Sequence, residues 1–182
     1  GAHTCAILDD GSVSCWGAGS NGRLGNGGVS TETTPTSTSS LGAGRTAVAS
    51  SSGLTHTCAI LDDGSVSCWG RNDYGELGNG GTSPIITSTP TPTSGLGTGR
   101  TAVAISSGGI HTCAILDDGS VSCWGAGTGG RLGNGGTSDA TTPTLTSSLG
   151  TGRTAVAISS GDSHTCAILD DGSVSCWGKG GS

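Results

Sequence analysis

Phenylalanine and methionine are absent from these 182 residues, and tyrosine occurs once. Aromatics make up 3% and hydrophobic residues 31% of the chain, too little bulk for the single central core that a domain of this length would otherwise build. No apolar run approaches the roughly 20 residues of a membrane-spanning helix. The seven basic residues stand singly, whereas a nucleic-acid surface gathers Lys and Arg into a stripe or patch, so nucleic acid is set aside as a partner. Helix formers are scarce against Ser, Thr, Gly and Val, which favour strands and turns. No Asn-x-Ser/Thr sequon and no tightly spaced cysteine pair of the zinc-binding kind is found. The chain opens on Gly1 with no leader segment, which reads as a mature product or a piece of something longer.

What is present is repetition, alongside 37 glycines and eight evenly placed cysteines. The segment His-Thr-Cys-Ala-Ile-Leu-Asp-Asp-Gly-Ser-Val-Ser-Cys-Trp-Gly begins at His3, His56, His111 and His164, at spacings of 53, 55 and 53. Leu-Gly-Asn-Gly-Gly follows at Leu24, Leu77 and Leu132, then a Ser/Thr/Pro-rich connector, then Gly-Arg-Thr-Ala-Val-Ala from Gly44, Gly99 and Gly152. The repeats run 1–53, 54–108 and 109–161, with 162–182 the start of a fourth that contains only its hairpin. Repeats of this period form stacked architectures in which each unit buries its faces against its neighbours.

Each copy reads as a β-hairpin. Strands His3–Leu8 and Ser12–Trp16 flank Asp9-Asp10-Gly11, a three-residue turn with glycine in the left-handed position. That turn sets the register, so Leu8 faces Ser12, Ile7 faces Val13, Ala6 faces Ser14 and Cys5 faces Cys15. Alternation along the ladder makes Cys5–Cys15 a non-hydrogen-bonded pair with Cα atoms about 4.5 Å apart, within reach of a disulfide. The same geometry pairs Cys58 with Cys68, Cys113 with Cys123 and Cys166 with Cys176. Each bridge is worth about 2–3 kcal/mol in the chain-entropy account, a sizeable share for a chain this poor in apolar bulk. One hairpin face carries His3, Cys5, Ile7, Val13 and Cys15. The other carries Thr4, Ala6, Leu8, Ser12, Ser14 and Trp16. Both have apolar members, so both are expected to pack against neighbouring sheets.

No nucleophile, base and orienting group come together in the pattern, so no catalytic residue is assigned and the chain reads as non-enzymatic. The recurring histidine sits at a strand start and reads as a hydrogen-bonded structural residue. The Asp-Asp-Gly turns supply two adjacent carboxylates but no series of Ca²⁺ ligands, so turn chemistry is the stronger reading. Leu-Gly-Asn-Gly-Gly lacks the following Lys or helix of a phosphate loop. Neither metal nor cofactor is assigned. The connectors Ser30–Ser40, Thr82–Gly95 and Thr137–Ser148 read as surface loops whose composition permits O-glycosylation.

The order His-Thr-x-Ala-x-x-x-Asp-Gly-x-Val-x-x-Trp-Gly, then Gly-x-Leu-Gly-x-Gly, then an apolar strand before Ser-Gly-x-x-His, resembles the repeat of the regulator-of-chromosome-condensation family along the whole chain. The resemblance implies an all-β fold of four-stranded antiparallel blades, normally seven, closed into a β-propeller; this chain would form a partial propeller, or one completed by another molecule. The paired cysteines are similar to a secreted bacterial branch with tubulin-suppressor-like repeats, which implies an extracellular or cell-surface location. The family's roles run from nucleotide exchange and chromatin binding to β-lactamase inhibition and scaffolding, so fold alone does not assign one. Gln is common in the family where this chain has Arg23, Glu76 and Arg131, and the changing charge reads as a solvent-exposed position.

Two functions follow as expectations. One is an extracellular structural protein that associates with further copies of its own repeat, blade to blade, as in a filament or surface layer. The other is a secreted propeller that grips a protein or glycan. The one irregular feature is the insertion at Ile85 and Ile86, with Arg71 and Tyr74 close in sequence; an aromatic and an Arg are the residue types that anchor interfaces, which makes these four the candidate partner contacts.

Overall fold

The computed structural model describes residues 2–180. Among these the chain forms fourteen strands and two short 3-10 turns, Ser20–Gly22 and Thr128–Gly130, with no α-helix, and no helix is long and apolar enough to cross a membrane.

The strands group into four antiparallel sheets, each a meander in chain order. The first holds β1 (His3–Ile7), β2 (Val13–Gly17) and β3 (Glu32–Ser37). The second holds β4 (Ala47–Ser52), β5 (His56–Leu61), β6 (Val66–Arg71) and β7 (Ile86–Pro92). The third holds β8 (Ala102–Ser107), β9 (His111–Leu116), β10 (Val121–Gly125) and β11 (Ala140–Leu145). The last holds β12 (Ala155–Ser160), β13 (His164–Leu169) and β14 (Val174–Gly178). The repeat units read from the sequence are thus offset from the sheets: residues 47–52 close the first unit but form the first strand of the second sheet.

The hairpin register is Cys5↔Cys15, Ala6↔Ser14 and Ile7↔Val13, repeated in the other three copies. Gly11 has φ of 77° and donates its N–H to Leu8 O, while Leu8 N donates to Ser12 O, the left-handed closure that glycine takes without steric cost. Asp10 Oδ1 accepts from Ser12 N at 2.9 Å. Four disulfides join Cys5–Cys15, Cys58–Cys68, Cys113–Cys123 and Cys166–Cys176, each with Cα atoms 4.1 Å apart.

The Ala-Val-Ala strands β4, β8 and β12 lie side by side at the inner edge of the stack, tied by Ser107 N to Ser51 Oγ at 2.9 Å and by Ser160 N to Ser106 Oγ at 2.8 Å. The arginine before each of these strands reaches the Asp pair of the hairpin that follows it in the same sheet: Arg45 to Asp62 and Asp63, Arg100 to Asp117 and Asp118, Arg153 to Asp170 and Asp171. These ion pairs are well exposed, so each is worth about 0–1 kcal/mol; the sheets are held chiefly by their faces and their disulfides.

The connectors correct the surface-loop reading. Each contains the outermost strand of its sheet, β3, β7 or β11. Proline concealed this, because it normally argues against a strand; on an outer edge, where its missing N–H has no ladder partner, it is tolerated. Each outer strand also carries a bulge. Thr36 pairs with Cys15 and Glu32 with Gly17, leaving Thr33, Thr34 and Pro35 opposite Trp16 alone, and β7 and β11 repeat the shift.

Candidate functional site

The two faces of each sheet are different halves of one interface. Ala59, Leu61 and Trp69 of the second sheet pack on Cys5, Ile7, Val13, Cys15 and Leu24 of the first. Ala114, Leu116 and Trp124 pack on Cys58, Ile60, Val66, Cys68 and Leu77. Ala167, Leu169 and Trp177 pack on Cys113, Ile115, Val121, Cys123 and Leu132. The core is therefore not central but divided into three inter-sheet layers, which is how a chain with 31% hydrophobic residues buries what it has.

A polar network is built into every layer. Trp69 Nε1 donates to Arg23 O at 2.9 Å, Thr57 Oγ1 donates to the same carbonyl at 2.9 Å, and His3 Nε2 meets Thr57 Oγ1 at 2.7 Å. The second layer repeats it with Trp124, Thr112, His56 and Glu76 O. The third repeats it with Trp177, Thr165, His111 and Arg131 O. The tryptophan fits because the glycine after each Leu leaves room: a Cβ at Gly25 would lie 2.7 Å from Trp69 Nε1, and Gly25 has φ of 70°. Burial lowers the histidine pKa values, to about 4 for His3, about 3 for His56 and about 4 for His111, so all three rings are neutral near pH 7. These histidines are structural hydrogen-bonding groups that bridge adjacent sheets.

Arg23, Glu76 and Arg131 are buried, not solvent-exposed, which corrects the reading of their varying charge. It is their main-chain carbonyl that the network uses, so the side chain is free to vary. Arg23 satisfies itself by donating to Ser20 O, Ser20 Oγ and Leu54 O. Glu76 is fully buried, accepts from Tyr74 N with one oxygen and leaves the other without a partner. Burial raises its pKa to about 7.

Arg71, Ile85 and Ile86 come together at the end of the second sheet. Arg71 is the ladder partner of Ile86, Ile85 O accepts from Asn72 N at 2.8 Å, and Arg71 is ion-paired with Asp73. Tyr74 lies in the loop that follows; Tyr74, Ile85 and Ile86 are all exposed.

The two outer faces of the stack are open. On the first sheet Thr4 and Leu8 are exposed and Ala6 and Trp16 half-buried, whereas their counterparts Thr57, Leu61, Ala59 and Trp69 are buried. On the last sheet His164, Ile168, Val174 and Cys176 are exposed, whereas His56, Ile60, Val66 and Cys68 are buried. Each open face thus carries residues that the chain buries elsewhere against the other kind of face.

Sheets of up to four antiparallel strands, stacked face to face around their inner strands, define a β-propeller segment, left open rather than closed into a ring. Family models narrow this: the regulator of chromosome condensation (RCC1) repeat matches residues 10–60, 63–115 and 118–168, and a second model of the same repeat matches 47–76, 102–131 and 155–182. The chain belongs to the RCC1-repeat family. It is 36% identical over 184 residues to the human E3 ubiquitin-protein ligase HERC2, covering 99% of this chain but 4% of that protein. The crystal structure of human WBSCR16 superposes with a TM-score of 0.84 at 22% identity, over 97% of this chain and 45% of that one. The crystal structure of Kap60 bound to yeast RCC1 (Prp20) gives 0.78 at 25% identity, over 98% of this chain and 42% of that one. The chain thus spans less than half of these relatives. An RCC1-repeat propeller segment of this kind is a protein-interaction module, and its four disulfides point to an oxidising environment.

Proposed function

We propose that this chain is a non-catalytic extracellular assembly module, whose open end faces take further blades of the same repeat, supplied by a longer chain or by another copy, in a filament or surface layer. The observation that carries the reading is the complementarity of the two end faces. The His-Cys-Ile-Val face and the Thr-Ala-Leu-Trp face meet three times inside the chain, and one of each is left open. Such a contact is heterologous, so it generates a ring if the rotation closes and a helical filament if it does not. The disulfides support an extracellular setting, and the resemblance of the paired cysteines to a secreted bacterial branch supports a cell-surface one.

Sedimentation velocity and electron microscopy across a range of concentrations test this reading. Species at multiples of the chain mass are expected, and a monodisperse monomer at every concentration overturns it.

A second reading is a secreted module that binds a different protein or a glycan. The exposed group of Tyr74, Ile85 and Ile86 beside Arg71 favours it, and so does yeast RCC1, whose structure holds Kap60. Under this reading Tyr74→Ala abolishes partner capture while sedimentation is unchanged.

A further inference from the structure

We propose that Thr34, Thr89 and Thr142 are attachment sites for O-linked sugars, one on the outer strand of each of the first three sheets. The inference is independent of blade-to-blade assembly and rests on the bulges. Each bulge places three residues opposite one tryptophan: Thr33-Thr34-Pro35, Ser88-Thr89-Pro90 and Thr141-Thr142-Pro143. The middle residue is in every case an exposed threonine followed by proline.

The third residue of each Thr-Pro-Thr triplet behaves differently. Thr36 Oγ1 donates to Thr34 O at 3.1 Å, Thr91 Oγ1 to Thr89 O at 3.2 Å and Thr144 Oγ1 to Thr142 O at 3.1 Å. These threonines are half-buried and their hydroxyls are engaged, which ties the third residue back to the main chain of the apex. The residue before each apex is occupied as well in the two inner sheets: Ser88 O accepts from Gly27 N of the sheet behind at 2.8 Å, and Thr141 O accepts from Gly80 N at 2.8 Å. In the two inner sheets the bulge is thus anchored on both sides of its apex, and in all three sheets the apex threonine is the exposed residue that precedes proline.

Proline beside a solvent-facing threonine holds the backbone extended, the conformation in which a transferase reaches the hydroxyl. Ser/Thr tracts with proline are the composition of O-glycosylated segments. The donor is a sugar activated as a nucleotide or lipid phosphate. The threonine oxygen bonds to its anomeric carbon, the bond from that carbon to the phosphate breaks with its electron pair leaving on the phosphate, and the hydroxyl proton passes to a base of the transferase. Sugars at these points would sheathe the outer edge strands, whose unpaired main-chain groups are otherwise templates for unwanted strand addition. The end faces would stay clear.

Protein purified from its natural source decides the matter by intact mass and by peptide mapping with electron-transfer fragmentation. Hexose or N-acetylhexosamine increments are expected on Thr34, Thr89 and Thr142 and not on Thr36, Thr91 or Thr144, and the combined T34V/T89V/T142V variant should lose them. An unmodified mass, phosphate in place of sugar, or sugar on the third threonines overturns the proposal. Should the variant fail to accumulate, the map of the unaltered protein decides alone. Sedimentation after enzymatic removal of the sugars reads assembly separately, so either idea can fail without the other.

Discussion

His3 Nε2 and Thr57 Oγ1 meet at 2.7 Å across the first inter-sheet layer, and the direction of that bond is fixed by a third group. Thr57 gives its one hydroxyl proton to Arg23 O, so the histidine must be the donor, protonated on Nε2, with Nδ1 left bare; Nδ1 is indeed buried and unpartnered in His3, His56 and His111. In the second layer, Thr112→Val removes the acceptor for His56 Nε2–H and the donor to Glu76 O together. Leaving that ring N–H buried without a partner costs about 1–3 kcal/mol. Thr4→Val at the equivalent, exposed position should cost less than about 0.5 kcal/mol. Urea denaturation of the two variants compares them; equal effects would show that the network does not matter.

How far the sequence reveals this structure depends on where each residue's constraint lies. The hairpins are legible because the Asp-Asp-Gly turn counts residues: once its length is known, Cys5 must face Cys15. The burial of Arg23 and Glu76 is not, because the group in demand is the carbonyl, which every residue type has. An alternation of Arg, Glu and Arg looks like indifference to environment when it is indifference to the side chain alone. The outer strands were hidden by proline and by their three-for-one bulges, which destroy the alternation a strand shows in sequence. The candidate contacts Arg71 and Ile86 lie 15 positions apart, and only the ladder between β6 and β7 makes them neighbours.

The glycine beneath each tryptophan separates backbone strain from crowding. Gly78 has φ of 66°, and a Cβ there would lie 2.9 Å from Trp124 Cδ1 and Nε1; Gly99 has φ of 69° and nothing within 4 Å. Gly99→Ala should therefore carry only the left-handed backbone cost, about 1–2 kcal/mol. Gly78→Ala should exceed it and shift the tryptophan fluorescence, since the indole must move. Thermal melts with fluorescence detection check both.

Stability should rise with pH through the histidine range and level off above neutrality. Folded-state pKa values of about 4, 3 and 4 for His3, His56 and His111 lie below the usual 6.5, so the unfolded chain binds more protons and stability is lost as pH falls below 6.5. Glu76 acts in the opposite sense: with a folded pKa of about 7 against an ordinary 4.5, it holds a proton that the unfolded chain has released, so its contribution declines as pH rises from 4.5 to 7. Three histidines outweigh one glutamate through this range, because at pH 6.5 each unfolded histidine is still half-protonated, so the glutamate flattens the rise without reversing it. Glu76→Gln should therefore steepen the rise between about pH 4.5 and 7, measured as urea midpoints across the range.

The disulfides should not open together. Cys58–Cys68 and Cys113–Cys123 are fully buried, while Cys176 is exposed and Cys166 half-buried on the last sheet. Mild reductant at low protein concentration should open Cys166–Cys176 first, as seen by alkylation and mass spectrometry. If copies cover that face, raising the protein concentration should protect this bridge.

The most direct probe of the assembly uses two damaged copies. Leu8 lies on the open face of the first sheet and Ile168 on that of the last, each 45% exposed. A lysine at either position would be buried without a counter-charge if that face were covered, while in the isolated chain it reaches water. Leu8→Lys alone should therefore be a folded monomer, because each of its contacts needs one damaged face, and so should Ile168→Lys alone. Mixed in equal amounts, the intact last-sheet face of Leu8→Lys meets the intact first-sheet face of Ile168→Lys, and a one-to-one complex should form. It can grow no further, because both remaining faces carry lysine. A contact between like faces gives the opposite pattern: one variant still pairs with itself, and mixing adds nothing. Light scattering coupled to size-exclusion chromatography tells the two apart.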